Sequence, residues 1–177
     1  MTRASLKIIL GVTGSIAAYK SADLIRRFQE HHCDVTVVMT KEAESFVTPL
    51  TLATLSAKDI YTDMFAAHNW EMGHIQMAKA DAVVVAPATA NIIGKMASGI
   101  ADDYLSTLLI STRARIFMAP AMNEDMYQNK IVQENCAKLK KHGVTFIEPV
   151  KGKLACGIVG VGHLAEVEDI VKAVLKH

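Results

Sequence analysis

Residues 6–12 form an apolar run with β-branched side chains that ends in the glycine-bearing turn Gly11-Val12-Thr13-Gly14-Ser15, and a helical pattern begins at once. In that pattern Ala18, Ala22, Ile25 and Phe28 step by four, three and three and share a face, while Lys20, Arg26, Arg27 and Glu30 occupy the others. Strand, tight turn and one-sided helix make a unit that packs on a sheet. The unit recurs. Further apolar strands are expected at 35–39, 82–86, 116–119 and 144–147, and the unbroken Val83-Val84-Val85 reads as a strand covered on both faces. Helical patterns lie between them, at 90–96, 104–111 and 130–142, the last with Val132, Cys136 and Leu139 inward. A final helix from Glu166 turns Val167, Ile170, Val171 and Val174 inward. Strands alternating with helices imply a doubly wound parallel sheet, a three-layer α/β fold of the flavodoxin or Rossmann kind. No repeat or linker divides the chain, so one domain over 1–177 is expected. Two stretches fit neither pattern, 68–74 with Trp70 and 151–162 with four glycines, and both read as loops that serve a site.

Composition narrows the function. Nineteen basic and 18 acidic residues leave a net charge of +1, with no basic run that would grip a polyanion, so nucleic acid and membrane surface are not expected partners. The opening apolar stretch is too short for a signal core or a membrane span, and a cytoplasmic protein is expected. Cys33, Cys136 and Cys156 are odd in number, widely spaced and without a neighbouring metal-ligand pattern; they read as reduced thiols with no metal.

The turn at 11–15 stands at a strand's carboxyl end, where open α/β sheets bind ligands. Its glycines let backbone N–H groups approach an anion, and the Thr13 and Ser15 hydroxyls can add hydrogen bonds. It matches neither GxGxxG nor a P-loop, which disfavours NAD and ATP. A plain turn with Ser15 as N-cap is the simpler reading of this segment by itself. After the second strand Thr40 is placed either as an N-cap or as a second phosphate hydroxyl. After the third comes Ala86-Pro87-Ala88-Thr89-Ala90-Asn91, small residues with two hydrogen-bonding side chains for a planar ring. Three strand ends of this kind favour a phosphate-bearing cofactor over three unrelated turns.

Further along, His74 starts a short amphipathic turn, where a histidine is usually a cap or a surface group. In Pro120-Ala121-Met122-Asn123-Glu124-Asp125-Met126-Tyr127, spacing favours Asn123 as a helix cap with Met122 and Met126 as core residues. Cys156 lies among glycines, in backbone that can present and withdraw a thiol.

Together these segments resemble the homo-oligomeric, flavin-containing cysteine decarboxylases. The resemblance covers nearly the whole chain: Gly11 to Ser15, Gly73-His74-Ile75, Ala86 to Asn91 running on through Gly94-Lys95-Met96-Ala97-Ser98-Gly99-Ile100-Ala101-Asp102-Asp103, Pro120 to Met126, and Ala155-Cys156-Gly157. It implies FMN, with its phosphate at Gly11, Thr13, Gly14, Ser15 and Thr40 and its ring against Ala88, Thr89 and Asn91. It also implies His74 as the active-site histidine, Asn123 on the substrate carboxylate, and a clamp carrying Cys156. Trimers, or dodecamers built from them, are implied as well.

The implied chemistry explains these residue types. A carboxylate beside CH2-SH cannot leave as CO2 until oxidation to a thioaldehyde provides an electron sink, which is the work of the flavin. A histidine can take or hold the thiol proton, and an amide can orient the carboxylate without neutralising it. Loss of CO2 leaves an enethiolate. In the branch that converts 4'-phosphopantothenoylcysteine to 4'-phosphopantetheine for coenzyme A, a cysteine donates the proton that completes reduction of the enethiol. The peptidyl-cysteine branch of antibiotic biosynthesis stops earlier and needs none. Cys156 favours the coenzyme A branch. A non-catalytic regulatory relative would not need His74, Asn123 and Cys156 together, and a flavin prenyltransferase should lack the His74 and Cys156 features. The sequence departs from the family pattern at Tyr127, often Trp, and at Gly162-His163, where Arg usually follows the last glycine. With the chain ending at His177, a separate phosphopantothenate–cysteine ligase is expected to supply the substrate.

Overall fold

The structure is a computed structural model and describes residues 5–64, 80–153 and 159–176. Trp70, His74 and Cys156, and with them the expected loop at 68–74, lie outside the described residues.

Five strands form a parallel sheet: β1 (Lys7–Val12), β2 (Asp34–Met39), β3 (Ala82–Ala88), β4 (Arg115–Pro120) and β5 (Thr145–Phe146), in the order β2-β1-β3-β4-β5. The helices are α1 (Ser21–Glu30), α2 (Pro49–Ser56), α3 (Ala90–Ser98), α4 (Tyr104–Ser111), α5 (Glu124–Gln128), α6 (Lys130–Lys141) and α7 (Val167–Leu175). A 2-1-3-4-5 order is the flavodoxin-like arrangement, and its switch point lies between β1 and β3.

All seven residues of β3 are buried, as a strand covered on both faces must be. Successive side chains enter different cores. Ala82, Val84 and Ala86 join Ile8 and Leu10 against Leu24, Ile25 and Phe28 of α1 and Ile170, Val171 and Val174 of α7. Val83 and Val85 join Ile9 against Ile92 and Ile93 of α3, Leu105, Leu108 and Leu109 of α4, and Cys136 and Leu139 of α6. Each fully buried Leu, Ile or Phe contributes roughly 1.5–3 kcal/mol, so both helical layers are bound firmly to the sheet. Burial pushes the thiols of Cys33 and Cys136 up.

Four local expectations are revised. The first helix opens with a 3-10 turn at Ile16–Lys20, and Leu24 is a core residue while Ala22 is only half-buried. Helix α2 was not anticipated, although Thr48 caps it through Thr51 N and Pro49 opens it. β5 has two residues where four were expected. Instead of an irregular loop at 151–162, the described residues there form an antiparallel hairpin, β6 (Val150–Lys153) with β7 (Val159–His163), in which Gly152 faces Gly160. Gly160 and Gly162 allow its second strand to approach Glu124 and Met122 closely. No helix among the described residues is long and apolar enough to cross a membrane.

Candidate functional site

The carboxyl ends of β1, β2, β3 and β4 surround a cleft of about 310 Å³ at the switch point. Its floor and walls include Thr13, Gly14, Ser15, Thr40, Thr89 and Asn91, which brings together most of the residues expected to meet a cofactor. Gly11 and Ala88 are buried in the strands beneath.

The hydroxyls divide into three kinds. That of Thr13, a residue 1% exposed, donates to Pro87 O at 2.7 Å and accepts from Thr89 N at 3.2 Å. It stitches the first loop to the third at the edge of the cleft. Those of Ser15 and Thr89 accept from Ala17 N and Ile92 N at 3.4 and 3.5 Å, long cap bonds that leave each O–H free to donate. Thr40 differs from all of these. It stands at the start of a 3-10 turn, Lys41–Ser45, makes no capping bond, and its Oγ1 is buried without a hydrogen-bond partner among the described residues. A buried hydroxyl without a partner costs about 1–3 kcal/mol. Of the two readings of Thr40, the capping bond is not made, and the hydroxyl is left with its hydrogen-bonding capacity unused among the described residues.

Gly14 permits the first two loops to meet: a Cβ there would lie 2.5 Å from Glu42 Cβ and 3.2 Å from the Glu42 carbonyl carbon. Among the described residues that line it there is no Lys, Arg or His. An anion in this cleft would be held by hydroxyls and backbone N–H groups, with Glu42 on its rim.

The opposite wall is Ala121, Met122 and Met126. Met126 is 49% exposed, so it is a wall residue and not the core methionine that spacing suggested. Asn123 does cap α5: its Oδ1 accepts from Asp125 N at 2.9 Å and Met126 N at 3.3 Å. These bonds fix the amide plane and leave Nδ2 with no hydrogen bond among the described residues. Capping and ligand binding are therefore compatible in one side chain, with the donor end turned free.

The segment from Gly94 to Asp103 is a corner between helices. Gly99 ends α3 at φ 71°, and Lys95 Nζ lies 2.7 Å from both Asp102 Oδ1 and Asp103 Oδ2. Asp103 and Ser106 then form a capping box on α4. Burial works to lower the Lys95 pKa, but its bonds to the two aspartates outweigh that and raise it; the lysine in turn lowers Asp102.

Sequence reasoning missed Glu42 and the exposed wall at Met122 and Met126. Glu42 had a signal in its position directly after the second strand end, but only the close approach at Gly14 places it at the cleft. The expected catalytic residues His74 and Cys156 lie outside the described residues.

Known proteins resemble this chain over nearly its whole length. The coenzyme A biosynthesis bifunctional protein CoaBC of Bacillus subtilis (strain 168) is 47% identical over 172 residues, which is 96% of this chain and 42% of that protein. Its counterpart in Vibrio vulnificus (strain YJ016) is 45% identical, over 96% of this chain and 43% of that protein. The chain thus spans less than half the length of the curated relatives it matches. Those relatives are bifunctional proteins, with two functions in one polypeptide. Among solved structures, a cysteine-to-serine mutant of a PPC decarboxylase complexed with pantothenoylaminoethenethiol superposes with a TM-score of 0.88 at 33% identity, covering 97% of each chain. The FMN binding protein AtHal3 superposes at 0.84, also 33% identical, over 97% of this chain and 96% of that one. The model of the family described as Flavoprotein matches residues 2–177, and the chain belongs to the flavoprotein family.

Proposed function

We propose that this chain binds FMN and decarboxylates 4'-phosphopantothenoylcysteine to 4'-phosphopantetheine, the carboxy-lyase step of coenzyme A biosynthesis. The observation that carries the reading is the buried Thr40 hydroxyl, without a hydrogen-bond partner among the described residues, in a cleft at the switch point whose opposite wall, Ala121 and Met122, leads directly into Asn123. The coenzyme A name of relatives up to 47% identical favours this substrate over a peptidyl cysteine.

The Thr40 hydroxyl, the Ser15 O–H and the backbone N–H groups of the first loop would hold the FMN phosphate, and the segment Ala88, Thr89, Asn91 its ring. Bound FMN supplies a two-electron acceptor for the substrate's CH2-SH group, which creates the electron sink that departing CO2 requires. Asn123 Nδ2 donates to the substrate carboxylate and, being neutral, aligns the group without stabilising it as an ion pair would. His74 takes the substrate thiol proton on a ring nitrogen. The thiol of Cys156 donates the proton that completes reduction of the enethiol. These last two roles rest on the resemblance alone.

Residues 1–177 act in this reading as one FMN-binding domain in the cytoplasm. The domain assembles as a homo-oligomer, a trimer or dodecamer, and the ligase that makes its substrate is fused or separate. Ile16 and Tyr19, 58% and 59% exposed beside Ser15, supply apolar surface for that assembly.

The test is CO2 release from 4'-phosphopantothenoylcysteine and from a peptide ending in cysteine, using protein purified with its bound flavin. Yellow protein active on the first substrate is expected. Colourless protein, or activity on the peptide alone, would overturn the proposal.

A further inference from the structure

We infer that Glu124 is a positioning residue: its carboxylate anchors the β6–β7 hairpin beside Asn123, and substrate binding depends on that anchor while flavin binding does not. The inference rests on the proposed role of Asn123.

Glu124 directly follows Asn123 and opens α5. Its Oε1 accepts from Val161 N in β7 at 2.9 Å and from Gln128 Nε2 at 3.3 Å. Space for the carboxylate exists because residue 160 has no side chain. A Cβ on Gly160 would lie 2.6 Å from Glu124 Cδ and closer still to one of its oxygens. On the other side of Asn123, Met122 N donates to Gly162 O at 3.0 Å. Gly162 has a φ of +151°, and a Cβ on it would strike the carbonyl oxygen of Met122. The second strand of the hairpin is thus fastened to the backbone just before Asn123 and to the side chain just after it.

Of these two fastenings only one depends on a side chain. The Met122 bond is made by backbone and is available to any residue there. The Glu124 bond needs an acceptor of this length, and its loss leaves a partly buried N–H of Val161 without a partner. Glu124 itself does not line the cleft, so its effect passes through the Asn123 amide and the hairpin stem. Capping by Asn123 holds the amide plane relative to α5; the Glu124 bond holds α5 relative to the hairpin.

The experiment compares the flavin-loaded wild type with Glu124→Ala, Glu124→Gln, Gly160→Ala and the Glu124→Ala/Gly160→Ala double variant. In Glu124→Ala, amide hydrogen exchange in 159–163 should quicken about tenfold, as for loss of one hydrogen bond to a charged acceptor. KM for the cysteine substrate should rise by a similar factor, with kcat and flavin content within about twofold. Gln keeps an acceptor oxygen and should restore both quantities. Gly160→Ala should behave like Glu124→Ala, and the double variant should be no worse than either, because removing the carboxylate makes room for the methyl. Unchanged exchange, a fall in kcat in place of the rise in KM, failure of Gln to rescue, or additive damage in the double variant would each overturn the inference. If the wild type releases no CO2, the proposed function fails separately, while exchange in 159–163 still decides whether the anchor exists.

Discussion

The two walls of the cleft are built in different ways. On the sheet side, the loops after β1, β2 and β3 are held by buried groups: Thr13 bridges to Pro87 and Thr89, and Gly14 lets the Glu42 backbone close in. On the hairpin side, the fastenings are partly exposed side chains: Glu124 on β7, and at the root of β6 a chain in which Tyr127 Oη donates to Glu148 and Lys140 Nζ lies 2.7 Å from Glu148. Buried bonds are costly to break, whereas exposed ion pairs contribute about 0–1 kcal/mol each. The sheet side is therefore a rigid seat suited to a resident cofactor, and the hairpin side an adjustable wall suited to a substrate that enters and leaves.

The largest expected effect breaks the rigid side. Gly14→Ala places a methyl 2.5 Å from Glu42 Cβ, and the Glu42 backbone behind it leaves little room to yield. Overpacking of this kind costs about 3 kcal/mol, and the protein should purify without flavin colour. Retained colour and an unchanged melting temperature would show that the loops are looser than described. Thr13→Val comes next. It strips Pro87 O of its donor and Thr89 N of its acceptor, and about 2 kcal/mol should be lost in denaturant unfolding, with reduced flavin content. Loss of flavin with no loss of stability would assign Thr13 to the ligand after all.

Legibility in the sequence follows the same division. The apolar strands and the hydroxyls at their ends were readable because a covered strand must be apolar and a strand end at the switch point must turn with small residues. The roles of those hydroxyls were not readable. Thr13, Ser15 and Thr40 look alike in sequence, and only burial and partners separate a stitch, a cap and a free hydroxyl. Helix α2, whose sequence Pro49-Leu50-Thr51-Leu52-Ala53-Thr54-Leu55-Ser56 has no polar face to set against an apolar one, gave no period to detect, though its Thr48-Pro49 start was a usable sign. The hairpin was hidden by its glycines, which read as loop formers. Its contacts join residues about 37 apart in sequence, and such pairs cannot be inferred from local pattern.

Thr40→Val should have opposite effects in the two states of the protein. Without flavin the wild-type hydroxyl is buried with no partner among the described residues, so an isosteric methyl should raise the melting temperature, by about 1 kcal/mol of stability. With flavin, the lost hydrogen bond should weaken affinity about tenfold, or 1.4 kcal/mol. Titrating the stripped variant with FMN and melting it with and without the cofactor checks both signs. Destabilisation in both states would mean that Thr40 serves the fold and not a ligand.

The smallest effect belongs to the adjustable side. Tyr127→Phe removes the bond to Glu148 and should cost less than about 1 kcal/mol, leaving flavin content unchanged. Its signature is pH dependence. Burial, followed by the bond to Glu148, pushes the Tyr127 phenol well above its ordinary value. A raised phenol favours the folded state fully while the unfolded phenol is still protonated, and that advantage fades once pH passes about 10, where the unfolded phenol ionises. The stability gap between wild type and Tyr127→Phe should therefore hold steady through neutral pH and narrow above pH 10. Glu148 adds an acid limit: burial raises its carboxyl, but the bonds from Lys140 and Tyr127 outweigh that and lower it, so its contribution is lost as pH falls below about 4.5 toward the depressed folded value. Chemical denaturation of the two proteins across pH measures the gap directly. A gap that stays constant past pH 10 would remove the Tyr127 bond from the account of how the hairpin root is held, leaving Lys140 and Glu148 to hold it.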